Sequence, residues 1–142
     1  LATFVVTHEF ANYLGQGDVE LDAHTFKAVI TNTSPNQATN QVLGDLTQIS
    51  GTGGYAAATL ASVTYSETGS GTGIWEFDSA PFAWTASGAN FATGRYIYIY
   101  DDTHASDALV GYLDYGTTFV VTDGNTLTVT PGANGIFRIT VS

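Results

Sequence analysis

Residues Arg95–Tyr100 read RYIYIY, and this alternation decides the fold class. Successive side chains of an extended strand point to opposite faces, so Tyr96, Tyr98 and Tyr100 share one face while Ile97 and Ile99 share the other. Aromatic and β-branched residues fit a pleated, half-buried surface. Toward the C-terminus, Leu109–Tyr115 (LVGYLDY), Thr118–Thr122 (TFVVT), Leu127–Thr130 (LTVT) and Ile136–Val141 (IFRITV) have the same character, punctuated by Asp123-Gly124, Pro131-Gly132 and Asn134-Gly135. On the N-terminal side, Ile74–Asp78 (IWEFD) alternates cleanly, Thr25–Thr31 (TFKAVIT) is half apolar, and Gly54–Tyr65 (GYAAATLASVTY) alternates imperfectly. Short strands recurring about every ten residues predict an all-β fold, an antiparallel β-sandwich of jelly-roll-like or Ig-like type.

One segment is helical in pattern. In Thr7–Leu14 (THEFANYL), Phe10, Tyr13 and Leu14 stand at i, i+3 and i+4, with Thr7 placed to cap, Glu9 in the first turn and Gly15 beyond the end. The expected organisation is a single sandwich domain over 1–142, with an N-terminal arm and short helix at 1–15. Residues 32–48 (NTSPNQATNQVLGDLTQ) lack periodicity and are expected to cross between sheets, with a helical turn at Gln41–Leu46.

A chain of 142 residues can bury about 70% of its unfolded surface, enough for a core without staples. Three cations face 13 acids, giving 3 − 13 = −10. Phosphate neutralisation needs several Lys or Arg together, and Lys27, Arg95 and Arg138 lie in different segments, so neither nucleic acid nor an anionic membrane is an expected partner. Without cysteine there is no disulfide, thiolate metal site or cysteine nucleophile. Charged residues are 11% against a typical ~25%, so Thr, Ser, Asn, Gln and Gly supply the polar surface. Uncharged polar groups are cheaper to desolvate than ions, which favours life in an assembly. No apolar run approaches a spanning helix, and no signal-peptide pattern opens the chain. Met is absent and the chain starts Leu1-Ala2-Thr3, which leaves two hypotheses, trimming or a non-AUG start read as Leu; intact mass decides between them.

Several clusters invite a chemical reading. Glu76 and Asp78 sit at i, i+2 on a strand, about 7 Å apart, a spacing compatible with an acid/base pair but equally with a solvated edge. Asp101, Asp102, His104 and Asp107 follow the strongest strand and could hold Ca²⁺, although their spacing is not that of an EF-hand and Asp-Asp-Thr is ordinary turn chemistry. Gly51–Ala56 satisfies G-x-G-x-x-A, yet the residues after it read as strand, not helix. No nucleophile elbow occurs, and His8, His24 and His104 lie in unrelated contexts. Asn32-Thr33-Ser34 is a glycosylation sequon of the kind common by chance. The expectation is a non-enzyme with no cofactor and no metal. The tyrosine face at Tyr96, Tyr98 and Tyr100 reads equally as a platform for a sugar or a neighbouring subunit and as a half-buried strand whose phenols reach water; in an assembling protein the interface version gains.

Six blocks, taken in order, carry a resemblance: Val19–Thr31 (VELDAHTFKAVIT), Ile49–Tyr55 (ISGTGGY), Ala83–Gly88 (AWTASG), Gly94–Thr103 (GRYIYIYDDT), Asp107–Gly116 (DALVGYLDYG) and Gly132–Thr140 (GANGIFRIT). Together with the preceding helix they resemble a family of small virion structural proteins of tailed bacteriophages. In that family a helix leads to a "TFKVALYT"-like strand, a "SGTGY" turn, then "WTASG", "RGAVIYDDT", "LIGYIDFG" and "NGIFRLT" strands. This chain differs in having Tyr96 and Tyr98 where the family has small residues, and Pro81-Phe82 before Trp84. The resemblance implies a capsid decoration or cement protein on the outer surface of the virion, assembled in the host cytoplasm. It would bind the major capsid protein and itself as a homotrimer. A tail-fibre or receptor-binding module is the alternative. The arm Leu1, Ala2, Thr3, Phe4, Val5 and Val6, too short for its own core, is expected to lie along the shell protein, with Tyr96, Tyr98 and Tyr100 at the subunit interface.

Overall fold

The computed structural model describes residues 3–142. The described residues form ten strands and one α-helix: β1 (Phe4–Val6), α1 (His8–Gln16), β2 (Phe26–Thr31), β3 (Ala58–Thr59), β4 (Thr64–Glu67), β5 (Ile74–Asp78), β6 (Phe82–Thr85), β7 (Gly94–Asp101), β8 (Ala108–Phe119), β9 (Thr126–Val129) and β10 (Phe137–Thr140). Every pairing is antiparallel. One layer is a five-stranded sheet, β1-β8-β7-β2-β3; the other is split into β10-β5-β4 and β6-β9. The predicted all-β sandwich with one short helix is therefore what the chain builds.

The alternation read in Arg95–Tyr100 sets the centre of the larger sheet. Ile97 and Ile99 face inward with Phe26, Ala28, Ile30 and Val110, meeting Phe77, Phe82, Trp84 and Val129 of the second layer. Phe26 and Phe77 pack edge to face at 5.1 Å, and the Trp84 indole N–H is satisfied by the Ala56 carbonyl at 3.0 Å. Large aromatics with their polar atoms paired give this core its bulk without a desolvation cost.

Helix α1 starts where expected but is longer than expected. Gly15 lies inside it, and the left-handed stop is Gly17 (φ 77°), whose N–H bonds the Leu14 carbonyl while Asp18 N–H reaches Tyr13. Thr7 stands at the N-cap position but makes no capping bond; its buried hydroxyl points to the carbonyls of Leu109 and Val110. The helix is held by Phe10, not by its cap.

Three other expectations are corrected. Thr118–Thr122 is not a separate strand: β8 runs on to Phe119, opposite Gly94, and Val120–Thr122 connects onward. Leu1 and Ala2 lie outside the described residues, but Phe4–Val6 are not a free arm. They are β1, paired with Leu113, Tyr112 and Gly111 of β8, and Phe4 stacks on Phe137 at 6.1 Å. Residues 32–48 do not cross between the sheets; they return over the outer face of the larger one, pinned by Leu109 N–H to Gln41, Leu43 N–H to Asp107 and Ile49 N–H to Ile30. The helical turn within this strap occurs at Leu43–Asp45.

Docking of β1 depends on a missing side chain. A Cβ on Gly111 would collide with the Val5 carbonyl oxygen and stand 2.7 Å from the Phe4 ring. Gly111→Ala is expected to destabilise the protein by about 2 kcal/mol, the overpacking range. Gly15→Ala, in open space on α1, should stabilise it by about 0.5 kcal/mol. Urea unfolding of the two variants measures both signs.

Candidate functional site

The tyrosine face is not on the surface. Tyr96, Tyr98 and Tyr100 do share one side of β7, but with Val29 and Leu109 they form a second apolar cluster beneath Leu43 and Leu46 of the strap. Tyr98 is 1% exposed, and its hydroxyl donates to Asn40 Oδ1 at 3.2 Å. The expected sugar platform or subunit contact at these three residues is thus corrected: the chain covers the face itself. Burial pushes the Tyr100 phenol up to about 12 and raises Tyr98 further. Tyr55, from the Gly51–Ala56 turn, is likewise pushed up to about 12 by burial, where its hydroxyl oxygen accepts the Ile30 N–H at 2.7 Å. That turn leads into β3 and not a helix, so the G-x-G-x-x-A match serves the sheet and has no dinucleotide geometry.

The acidic cluster after β7 is occupied by the protein's own groups. Asp101 is fully buried; one oxygen accepts the N–H groups of Thr103 and His104, and the other lies 2.5 Å from His24 Nδ1. Asp102 pairs with Lys27 at 2.9 Å. The His104 ring packs against Tyr13 at a tilt of 60°, and its Nδ1 accepts from the Ser106 N–H. Among the described residues, no three His, Asp or Glu side chains converge on one point. Glu76 and Asp78 are likewise engaged within the chain: Glu76 is held by Arg138 at 2.7 Å, and Asp78 accepts the N–H of Ser79. Asn32, Thr33 and Ser34 are exposed where the strap begins.

What the fold leaves open is one side of the sandwich. There β1 and β10, each the edge of its own sheet, face one groove of about 560 Å³ lined by Phe4, Val6, Gly132, Asn134, Phe137 and Arg138. A smaller cavity of about 40 Å³ lies behind it, between Phe4, Gly135 and Ile136. Hydrogen-bond parity shows which backbone groups face out. Thr7 N–H bonds Val110 across the β1–β8 ladder, so Val5 points to β8 while Phe4 and Val6 point away. Gln37 reaches back to take the Val6 carbonyl at 2.9 Å, capping one end of that edge. Across the groove, Val141 N–H bonds Gly73, so Arg138 and Thr140 turn their N–H and C=O groups away from β5. Among the described residues these groups have no partner. The sequence signal for β1 was the aromatic and β-branched run Phe4-Val5-Val6; nothing local could reveal that β10 would lie beside it.

The three Lys and Arg side chains are all matched: Lys27 with Asp102, Arg95 with Asp114 and Arg138 with Glu76. The Arg95 guanidinium, and then the Gly116 N–H, hold the Asp114 carboxyl below its ordinary range. Among the described residues no helix is long and apolar enough to cross a membrane. No family model, no curated protein and no solved structure matches this chain.

Phenols that ionise later in the folded than in the unfolded chain make stability fall as pH rises. Folding stability should therefore hold up to pH 10.0, the ordinary tyrosine value, and decline progressively toward about 12. Tyrosinate absorbance against pH, read with circular dichroism, tests this. His24→Ala strips the partner from a buried carboxylate and should cost roughly 3 kcal/mol, measured by chemical denaturation.

Proposed function

We propose that this chain is a structural protein of a tailed-bacteriophage virion, a capsid decoration protein that binds the outer surface of the major capsid protein and associates with itself as a trimer. The ordered sequence blocks support the family. The surface chemistry supports the place: with a net charge of −10 and each Lys and Arg held by an acid, the chain offers packed DNA no counter-charge and is repelled by it. The uncharged polar surface is cheap to cover, as cementing many identical tiles requires.

The observation that carries the reading is the open groove between β1 and β10, where two sheet edges and an apolar floor come together. Natural sandwiches blunt or cover such edges unless a partner uses them. The receptor-binding alternative rested on an open tyrosine face, and burial of Tyr96, Tyr98 and Tyr100 withdraws that support. A trimer contact must then use another surface than these tyrosines.

The test is co-sedimentation with shells assembled from the capsid protein encoded in the same genome, with mass spectrometry of purified virions beside it. The wild-type chain should appear in both at a copy number comparable to that of the shell subunit. Ala133→Trp, which places a bulky ring on the exposed rim of the groove, should lower shell occupancy at least tenfold with an unchanged thermal midpoint. A chain absent from virions and from sedimented shells would end the proposal.

A further inference from the structure

A free sheet edge recognises one kind of object well, another extended backbone. Several edges of this fold are unpaired, and at the groove two of them, β1 and β10, line the same opening. They are not equivalent. On β1 the outward groups are those of Phe4 and Val6, and the Val6 carbonyl is already taken by Gln37. On β10 the outward N–H and C=O groups of Arg138 and Thr140 are all free among the described residues, two donors alternating with two acceptors. The Arg138 side chain is drawn aside to Glu76 and to the Ala133 carbonyl, so it does not lie across that backbone.

We propose that an extended segment of the shell protein enters the groove as an added β-strand along the free edge of β10, hydrogen-bonded to Arg138 in the groove wall and to Thr140 beyond its lining. This rests on the decoration reading and names the occupant of its site. The added strand turns alternate side chains inward, over Phe4, Val6 and Phe137, and those residues are apolar. Its other side chains face solvent and are uncharged or basic, because the domain they approach carries −10 and its own Arg138 is already neutralised by Glu76. The occupant is therefore a short stretch of alternating apolar and uncharged or basic residues without inward carboxylates.

Proline separates strand addition from simple contact. At a position whose N–H faces away from the ladder, proline leaves the existing pairing intact but removes a donor and obstructs a new neighbour. Thr140→Pro is such a change, and Thr140→Val is its control. The full-length variants are mixed with shells of the capsid protein; occupancy is read by sedimentation and fold by circular dichroism and thermal midpoint. Thr140→Pro should lose at least tenfold in binding while Thr140→Val binds as wild type does. Hydrogen exchange on the wild-type protein serves if the proline variant fails to fold: the Arg138 and Thr140 amides should slow at least tenfold in the shell complex. Wild-type binding with those two amides unprotected, or equal binding by a folded Thr140→Pro, overturns the added strand and leaves the decoration reading standing. A wild-type chain that does not bind shells at all overturns both.

Discussion

Strand β7 is buried on both faces, and the architecture grows from that constraint. Ile97 and Ile99 need one cover, and Tyr96, Tyr98 and Tyr100 need another. The first is the second sheet layer with α1. The second is a strap with few apolar residues, which compensates with backbone bonds to Asp107, Leu109 and Ile30 and with polar tips met by polar groups, as where Tyr98 reaches Asn40. Tyrosine suits that seam because its ring fills the apolar layer while its hydroxyl finds a partner in the polar one.

With both faces of β7 spent on the interior, unpaired backbone remains at the edges of the sheets. The chain seals some and not others. Beyond the short β3, the backbone of Ile30 is closed by the Tyr55 hydroxyl and by Ile49, and Gln37 shields part of β1. The far side of β10 has no such guard among the described residues. Matched cations add to this economy, since what a neighbour meets is chiefly hydroxyls, amides and unpaired backbone, with acids around them.

The strands from 26–31, 74–78, 94–101 and 137–140 were legible because short runs of β-branched and aromatic residues, several in period-two alternation, stand between turn residues. Alternation says which residues share a face, but not which face meets water. That is why the tyrosines read as surface: their cover, residues 32–48, has no period and its role is purely tertiary. The Phe4-Val5-Val6 run was visible, yet three residues cannot declare a strand without Gly111, far along the chain, to receive them. The acids after β7 resembled ligands because spacing cannot report that His24 and Lys27 would arrive to take them. The groove was illegible for the same reason, being a meeting of edges from different sheets.

The two walls of that groove come from residues 4–6 and 137–140, which no stretch of ribosome-bound chain brings together until nearly all the intervening residues have been made. A prematurely terminated product could fold its early strands and still own only one wall. The groove thus arrives late and all at once, complete only in a chain that has been translated through to β10.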